Sequence, residues 1–136
     1  PIYIELRAIG MHTTIIATGA INAFIATACG AFAAHVLKGN ISEHYLGVFH
    51  TGADYHIYHA LGLILVGLIY MHKPARLLAL SAWLMFTGIL LFSGSLYLLS
   101  LSGLTWLGMI TPLGGLCFLA AWLLLAISQL RLHKAD

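Results

Sequence analysis

Pro112-Leu113-Gly114-Gly115-Leu116-Cys117-Phe118-Leu119-Ala120-Ala121-Trp122-Leu123-Leu124-Leu125-Ala126-Ile127-Ser128-Gln129-Leu130 contains no charged side chain. A bilayer hydrocarbon core about 30 Å thick is crossed by roughly 20 apolar residues in a helix. This stretch has that length and that composition. Three more stretches in the same chain do as well, at about residues 13–36, 49–71 and 75–100. The expected fold class is therefore all-α: a polytopic membrane protein built as a four-transmembrane-helix bundle, with residues 1–136 as one domain.

Composition supports this reading. Only 7% of the residues are charged and 61% are hydrophobic, whereas soluble domains carry about 25% charged residues to keep their surfaces in water. The formal net charge of +2 is small, and no run of Lys and Arg exists, so nucleic acid is not an expected partner. The expected partners are the lipid bilayer and a homo-oligomer or larger membrane complex.

The breaks between the stretches have turn and cap chemistry. Lys38-Gly39-Asn40 is a charged turn, and Ser42 is placed to cap the second helix. The first turns of that helix, Glu43 to Tyr45, are expected in the interface, with the core crossing starting near His50 or Thr51. His72-Lys73-Pro74 separates spans two and three, with Pro74 suited to a first helical turn. Ser102-Gly103 opens the third connection, and Thr111-Pro112 reads as a cap followed by Pro at the first helical position.

The positive-inside rule gives an orientation. Arg7, Lys73, Arg76, Arg131 and Lys134, five of the six basic residues, fall on one side, with Lys38 on the other. Both termini are then expected in the cytoplasm. Trp106 suits the opposite interface. Pro1 is what loss of an initiator Met leaves. Arg7 and Ala26-Thr27-Ala28-Cys29 faintly match a lipoprotein leader, but the large aliphatic residue usual three positions before the Cys is missing. Span one is read as a retained transmembrane helix.

Small residues at four-residue spacing let helix backbones approach in lipid. Gly19, Ala23, Thr27 and Ala31 form such a row in span one, Gly30 and Ala34 a second, and Gly94 lies among Gly88, Ser93 and Ser95 in span three. Span one is expected at the bundle centre, and the bulkier span four more toward lipid. Cys29 and Cys117 lie at similar depth, so a disulfide is conceivable, but buried free thiols are the preferred reading.

The segment His50-Thr51-Gly52-Ala53-Asp54-Tyr55-His56-Ile57-Tyr58-His59 carries the chemistry. Ionisable residues within a span cost roughly 2.5–3.5 kcal/mol on insertion scales and generally face partners. His50, Asp54 and Tyr58 share one face; Tyr55 and His59 pair at i+4, and His56 and His59 at i+3. The topology brings His35, Ser93, Ser95, Tyr97 and Thr111 toward the same outer-leaflet level. Four readings stand: a metal or haem site with His56 and His59 as ligands, a proton relay through Asp54 and the histidines, a pocket for a small molecule or lipid headgroup, or a hydrogen-bonded network that fixes helix register. His12, His72 and His133 read as solvated near the cytoplasmic interface. No phosphate loop, paired catalytic carboxylates or Ser-His-Asp order stands out, so the chain leans away from being an enzyme.

Four motifs in order resemble a known family. They are Gly30-Ala31-Phe32-Ala33-Ala34-His35, the Thr51-Gly52…Tyr55…Tyr58-His59-Ala60-Leu61 stretch, Gly88 to Tyr97, and the Leu107-Gly108…Ile110-Thr111-Pro112-Leu113-Gly114-Gly115 stretch followed by Trp122. The family is the uncharacterised domain of unknown function 423, which includes YgdD/YwdK-like bacterial proteins and transmembrane protein 256. The resemblance covers roughly Gly10 to Leu130. It implies a four-helix bacterial inner-membrane protein with no established reaction. His35, Tyr58 and His59 match the family pattern. Ala33 and Val36 stand where Gly is usual, and Asp54 and His56 where an uncharged polar residue is expected. The expected function is a structural or accessory membrane component; the alternative is metal or haem binding, proton relay or small-molecule transport at the polar cluster.

Overall fold

The computed structural model describes the backbone of residues 2–135 and the side chains of residues 10–131 and Lys134. The side chains of Arg7 and His133, which bear on the basic flanks, lie outside the described residues. The elements are α1 (Ile2–Phe32), which runs on through a π turn (Ala33–Leu37), α2 (Glu43–His72), α3 (Arg76–Gly88), a second π turn (Ile89–Ser93), α4 (Gly94–Ser102), a 3-10 turn (Thr105–Met109) and α5 (Thr111–Ala135). Among the described residues, four helical units are long and apolar enough to cross a membrane: Gly10–Leu37, Glu43–His72, Arg76–Ser102 and Thr105–Arg131.

The connections sit where local chemistry puts them. Ser42 caps α2, its Oγ accepting from the Tyr45 N–H at 3.2 Å. Gly39 (φ 83°) and Gly103 (φ 71°) hold left-handed positions in the two turns at one end of the bundle, where a side chain would be strained. Thr111 does not cap α5: the Leu113 N–H goes to the Ile110 carbonyl at 3.1 Å, and the Thr111 hydroxyl bonds Ser95 instead. Pro74 lies just before α3, whose cap position is Ala75, with no side chain to cap it.

The centre of the bundle is α2, not α1. Half of the α2 span is buried against 22% of the α1 span, and α2 packs on α1, α3 and α4 while α5 packs on α3. The reason lies in α1's phase. Its inward residues are Ile15, Gly19, Asn22, Ala26, Ala33 and Leu37, mostly at alternating steps of three and four, which follow a helix of 3.6 residues per turn. A strict four-residue row gains about 40° per step, so it leaves the face. Gly19 does bring the backbones together: a Cβ there would lie 2.8 Å from the Ala60 carbonyl oxygen. Ala23 is half-buried, whereas Thr27, Ala31 and Ala34 are exposed. Gly30 faces open space, and Gly94 meets only its own helix at Ile89.

At the second π turn the wound backbone touches α5 directly. A Cβ on Gly114 would overlap the Phe92 amide nitrogen and lie 2.7 Å from its Cβ. Glycine is required there by contact, not by φ. The apolar core beside it contains Leu63, Val66, Leu78, Met85, Phe118 and Ala121. Ser81 crosses it, donating to the Ala121 carbonyl at 2.7 Å. Span four has the exposure expected of it, with Leu116, Leu119 and Leu123 all outward.

Candidate functional site

Two imidazoles on α2 organise the polar interior, and both are buried to 4% exposure. They lie near mid-length of α2, which has 30 residues and extends about 45 Å at 1.5 Å per residue.

His56 faces α1 and α4. Its Nε2 lies 3.0 Å from Asn22 Oδ1 and its Nδ1 2.9 Å from the Tyr97 hydroxyl. The direction of every proton follows from the far end. Asn22 Nδ2 donates to the Thr18 carbonyl at 2.8 Å, which fixes Oδ1 toward His56. Oδ1 can only accept, so His56 donates from Nε2. A neutral ring then accepts at Nδ1, and Tyr97 donates. Cys29 and Asp54 are Tyr97's further polar neighbours.

His59 faces α5. The Trp122 indole N–H donates to His59 Nε2 at 3.0 Å. Indole has no acceptor, so Nε2 is unprotonated. The proton sits on Nδ1, which donates to the Tyr55 carbonyl at 2.7 Å. The ring stacks on Phe118, 3.4 Å between centroids and 6° between planes. The two histidines, three residues apart, thus hold opposite neutral tautomers, and each ring has both nitrogens engaged.

The remaining sequence-derived candidates differ in burial and partners. Ser95 donates to the Phe92 carbonyl at 2.9 Å and accepts from Thr111 at 2.6 Å, fastening α4 to α5. Ser93 is buried in the π turn with no partner for its Oγ. His35, His50, Asp54 and Tyr58 are exposed, and of these Asp54 still neighbours Tyr97. Tyr55 enters the network through its carbonyl, while its ring lies 4.7 Å from Phe92. Among the described residues no three His, Cys, Asp or Glu side chains gather as a metal-binding group. Cys29 and Cys117 are free thiols.

Sequence reasoning passed over Asn22 and the role of Trp122. Asn22 had a usable signal, as the one carboxamide in an otherwise apolar first span. Trp122 had none, because a Trp in a Leu-rich helix is ordinary lipid-facing composition.

The fold and its paired interior define a small four-helix membrane protein whose polar groups are joined across helices rather than opened to a cleft. The model for "Protein of unknown function (DUF423)" matches residues 29–115, and the chain belongs to that family. It is 48% identical over 115 residues to UPF0382 membrane protein YwdK of Bacillus subtilis, covering 83% of this chain and 93% of that protein. It is 43% identical over 113 residues to UPF0382 membrane protein SAB0533 of Staphylococcus aureus, covering 83% and 92%. With UPF0382 membrane protein SSP2132 of Staphylococcus saprophyticus it shares 41% over 114 residues, 84% and 94% of the two chains. No solved structure matches at a significant level.

Proposed function

We propose that this protein is a non-enzymatic accessory component of a bacterial inner-membrane assembly, a single four-helix unit with both termini in the cytoplasm. The observation that carries this reading is the closure of the polar interior. Both nitrogens of His56 and both of His59 are committed to partners within the chain. A metal or haem iron would have to displace Trp122 or Tyr97, leaving a buried donor unmatched. As a proton path, the chain from Tyr97 through His56 and Asn22 ends on the Thr18 carbonyl, which has no proton to pass on. The work such a network does well is to fix which helix faces meet.

The assembly part of the proposal is supported by the outward row His50, Asp54 and Tyr58. Tyr58 is 55% exposed, and Asp54 stands on the same face about one turn away. An ionisable group facing hydrocarbon costs roughly 2.5–3.5 kcal/mol. A second protein surface removes that cost.

The test has two arms. The purified protein is expected to contain no stoichiometric metal and no Soret band. A stoichiometric metal, or a haem spectrum abolished by His59→Ala, overturns the reading. In membranes, Tyr58→Cys in a background of Cys29→Ser and Cys117→Ser is expected to cross-link between chains or to a partner protein. A strictly monomeric mass with no cross-link refutes the assembly.

A further inference from the structure

The outward face of α2 is a continuous seam. Thr51, Asp54, Tyr58, Leu61, Leu65 and Leu68 follow one another at steps of three and four, and all six are exposed. That spacing averages 3.5 residues per turn, the period at which a helix keeps one seam against a second helix running beside it. Gly47 carries the row one step further toward the start of α2, with open space where a side chain would be. The row lies on the free edge of the bundle. Ala60, which meets Gly19 of α1, and His59, which meets Trp122 of α5, each stand about a third of a turn away from it at roughly 100° per residue.

Two members of the seam are polar groups without a partner. Asp54 stands about 16 Å along α2 from Glu43 at 1.5 Å per residue, within the stretch long and apolar enough to cross a membrane. Among the described residues its carboxylate accepts no hydrogen bond and pairs with no cation. Its polar neighbour Tyr97 gives its hydroxyl proton to His56. The Tyr58 hydroxyl, one turn further along the seam, also makes no hydrogen bond among the described residues. An acceptor and a donor thus share one face without meeting inside the chain. Two copies inserted by the same rules share one orientation, so their α2 helices run parallel and a two-fold axis sets the same patch against itself. In a parallel pair, a side chain at the Asp54 position packs beside the residue one turn on in the other helix, and that residue is Tyr58.

We infer that the partner at this face is a second copy of this chain, joined through a parallel α2–α2 seam in which Tyr58 of each copy donates to Asp54 of the other while Leu61, Leu65 and Leu68 pack along the rest. The inference rests on the assembly reading above and names its partner. The two Asp54 side chains also meet across the axis, and two carboxyls brought together out of water share one proton. A lipid tail would leave the carboxylate bare, and a different protein would have to bring its own donor to that depth. A second copy carries one there already.

The test uses the full chain in membranes and in mixed micelles. In a background of Cys29→Ser and Cys117→Ser, oxidation is expected to cross-link dimers at Leu61→Cys and Leu65→Cys. It should not do so at Phe24→Cys on α1 or Leu119→Cys on α5, which are exposed but off the seam. Dimer fraction against detergent dilution measures the association without added cysteines. Tyr58→Phe keeps the ring and should weaken dimerisation about tenfold, the loss of two interhelical hydrogen bonds of average strength in a membrane. Asp54→Ala should do the same, whereas Asp54→Asn, whose amide oxygen still accepts from Tyr58, should stay within about threefold of the unmodified protein. Unchanged dimerisation in both Tyr58→Phe and Asp54→Ala overturns the inference, as does cross-linking as strong at Leu119→Cys as at Leu61→Cys. A chain that never dimerises but whose Leu61→Cys variant cross-links to another protein overturns the inference and leaves the assembly reading standing. A monomer with no cross-link removes both.

Discussion

Trp122→Phe removes one N–H from the interior and keeps most of the aromatic surface. Among the described residues that N–H is the sole donor to His59 Nε2, at 3.0 Å. The other ring nitrogen is held by the Tyr55 carbonyl at 2.7 Å, and Phe118 covers the ring face at 3.4 Å between centroids. The imidazole therefore cannot turn to find another partner, and at 4% exposure water does not reach it freely. Interhelical hydrogen bonds in membrane proteins average about 0.6 kcal/mol and reach about 1.7; an acceptor stranded by burial belongs at the upper end. The expected loss is about 1–2 kcal/mol, a factor of roughly 5–30 in the folded-to-unfolded ratio. Reversible unfolding in mixed micelles measures it. Nitrogen-15 spectra of the imidazoles supply the sharper check. His59 should be the Nδ1–H tautomer and His56 the Nε2–H tautomer, and only His59 should change in the Trp122→Phe variant. Finding His59 protonated at Nε2 in the unmodified protein would refute the reasoning, because an indole donor cannot then face that atom. So would unchanged stability together with an unchanged His59 spectrum in the variant.

Three further outcomes follow from the packing. Gly114→Ala forces a methyl into the Phe92 backbone and should cost about 1–3 kcal/mol by overpacking, while Gly30→Ala, with open space around it, should stay within about 0.5 kcal/mol of the unmodified protein; paired unfolding curves compare them. Asn22→Leu strands the His56 Nε2–H as well as losing the Thr18 contact, so it should destabilise the fold and free the His56 tautomer, whereas Asn22→Gln should recover part of the loss. Cys29 and Cys117 are free, so both should react with a maleimide after denaturation without reductant, and one labelled thiol or none refutes that assignment.

The number and ends of the helices were legible because membrane insertion is read from length and composition alone, and Lys38-Gly39-Asn40 and His72-Lys73-Pro74 interrupt both. Which helix lies at the centre was not legible from small-residue spacing. The i, i+4 rule identifies residues that neighbour one another on a surface, but a face that stays buried over six turns must follow 3.6 residues per turn. Thr27 and Ala31 satisfy the first condition and fail the second, while Asn22 and Ala26 satisfy the second. The π turns were illegible for a different reason. They insert a residue into the phase without any change in composition, and Ile89 to Ser93 reads as ordinary helix.

The candidate site divides along the same line. Its imidazoles were recognisable by residue type, since a histidine within a span needs a partner whatever the fold. Their partners were not, because partnership depends on rotation about four helix axes. Polar residues at neighbouring positions on α2 consequently have opposite fates. His56 and His59, three apart, turn to α1 and α5 and are closed off by Asn22 and Trp122. Asp54 and Tyr58, two residues and one residue from His56 and His59 along the chain, turn outward. Asp54 neighbours Tyr97 at the His56 end of the network, whereas His59 turns to Trp122 on α5, so no shared partner among the described residues joins Asp54 to both histidines. That geometry separates two roles on a single helix: an inward face that holds the bundle in register, and an outward face whose charge calls for protein rather than lipid beside it.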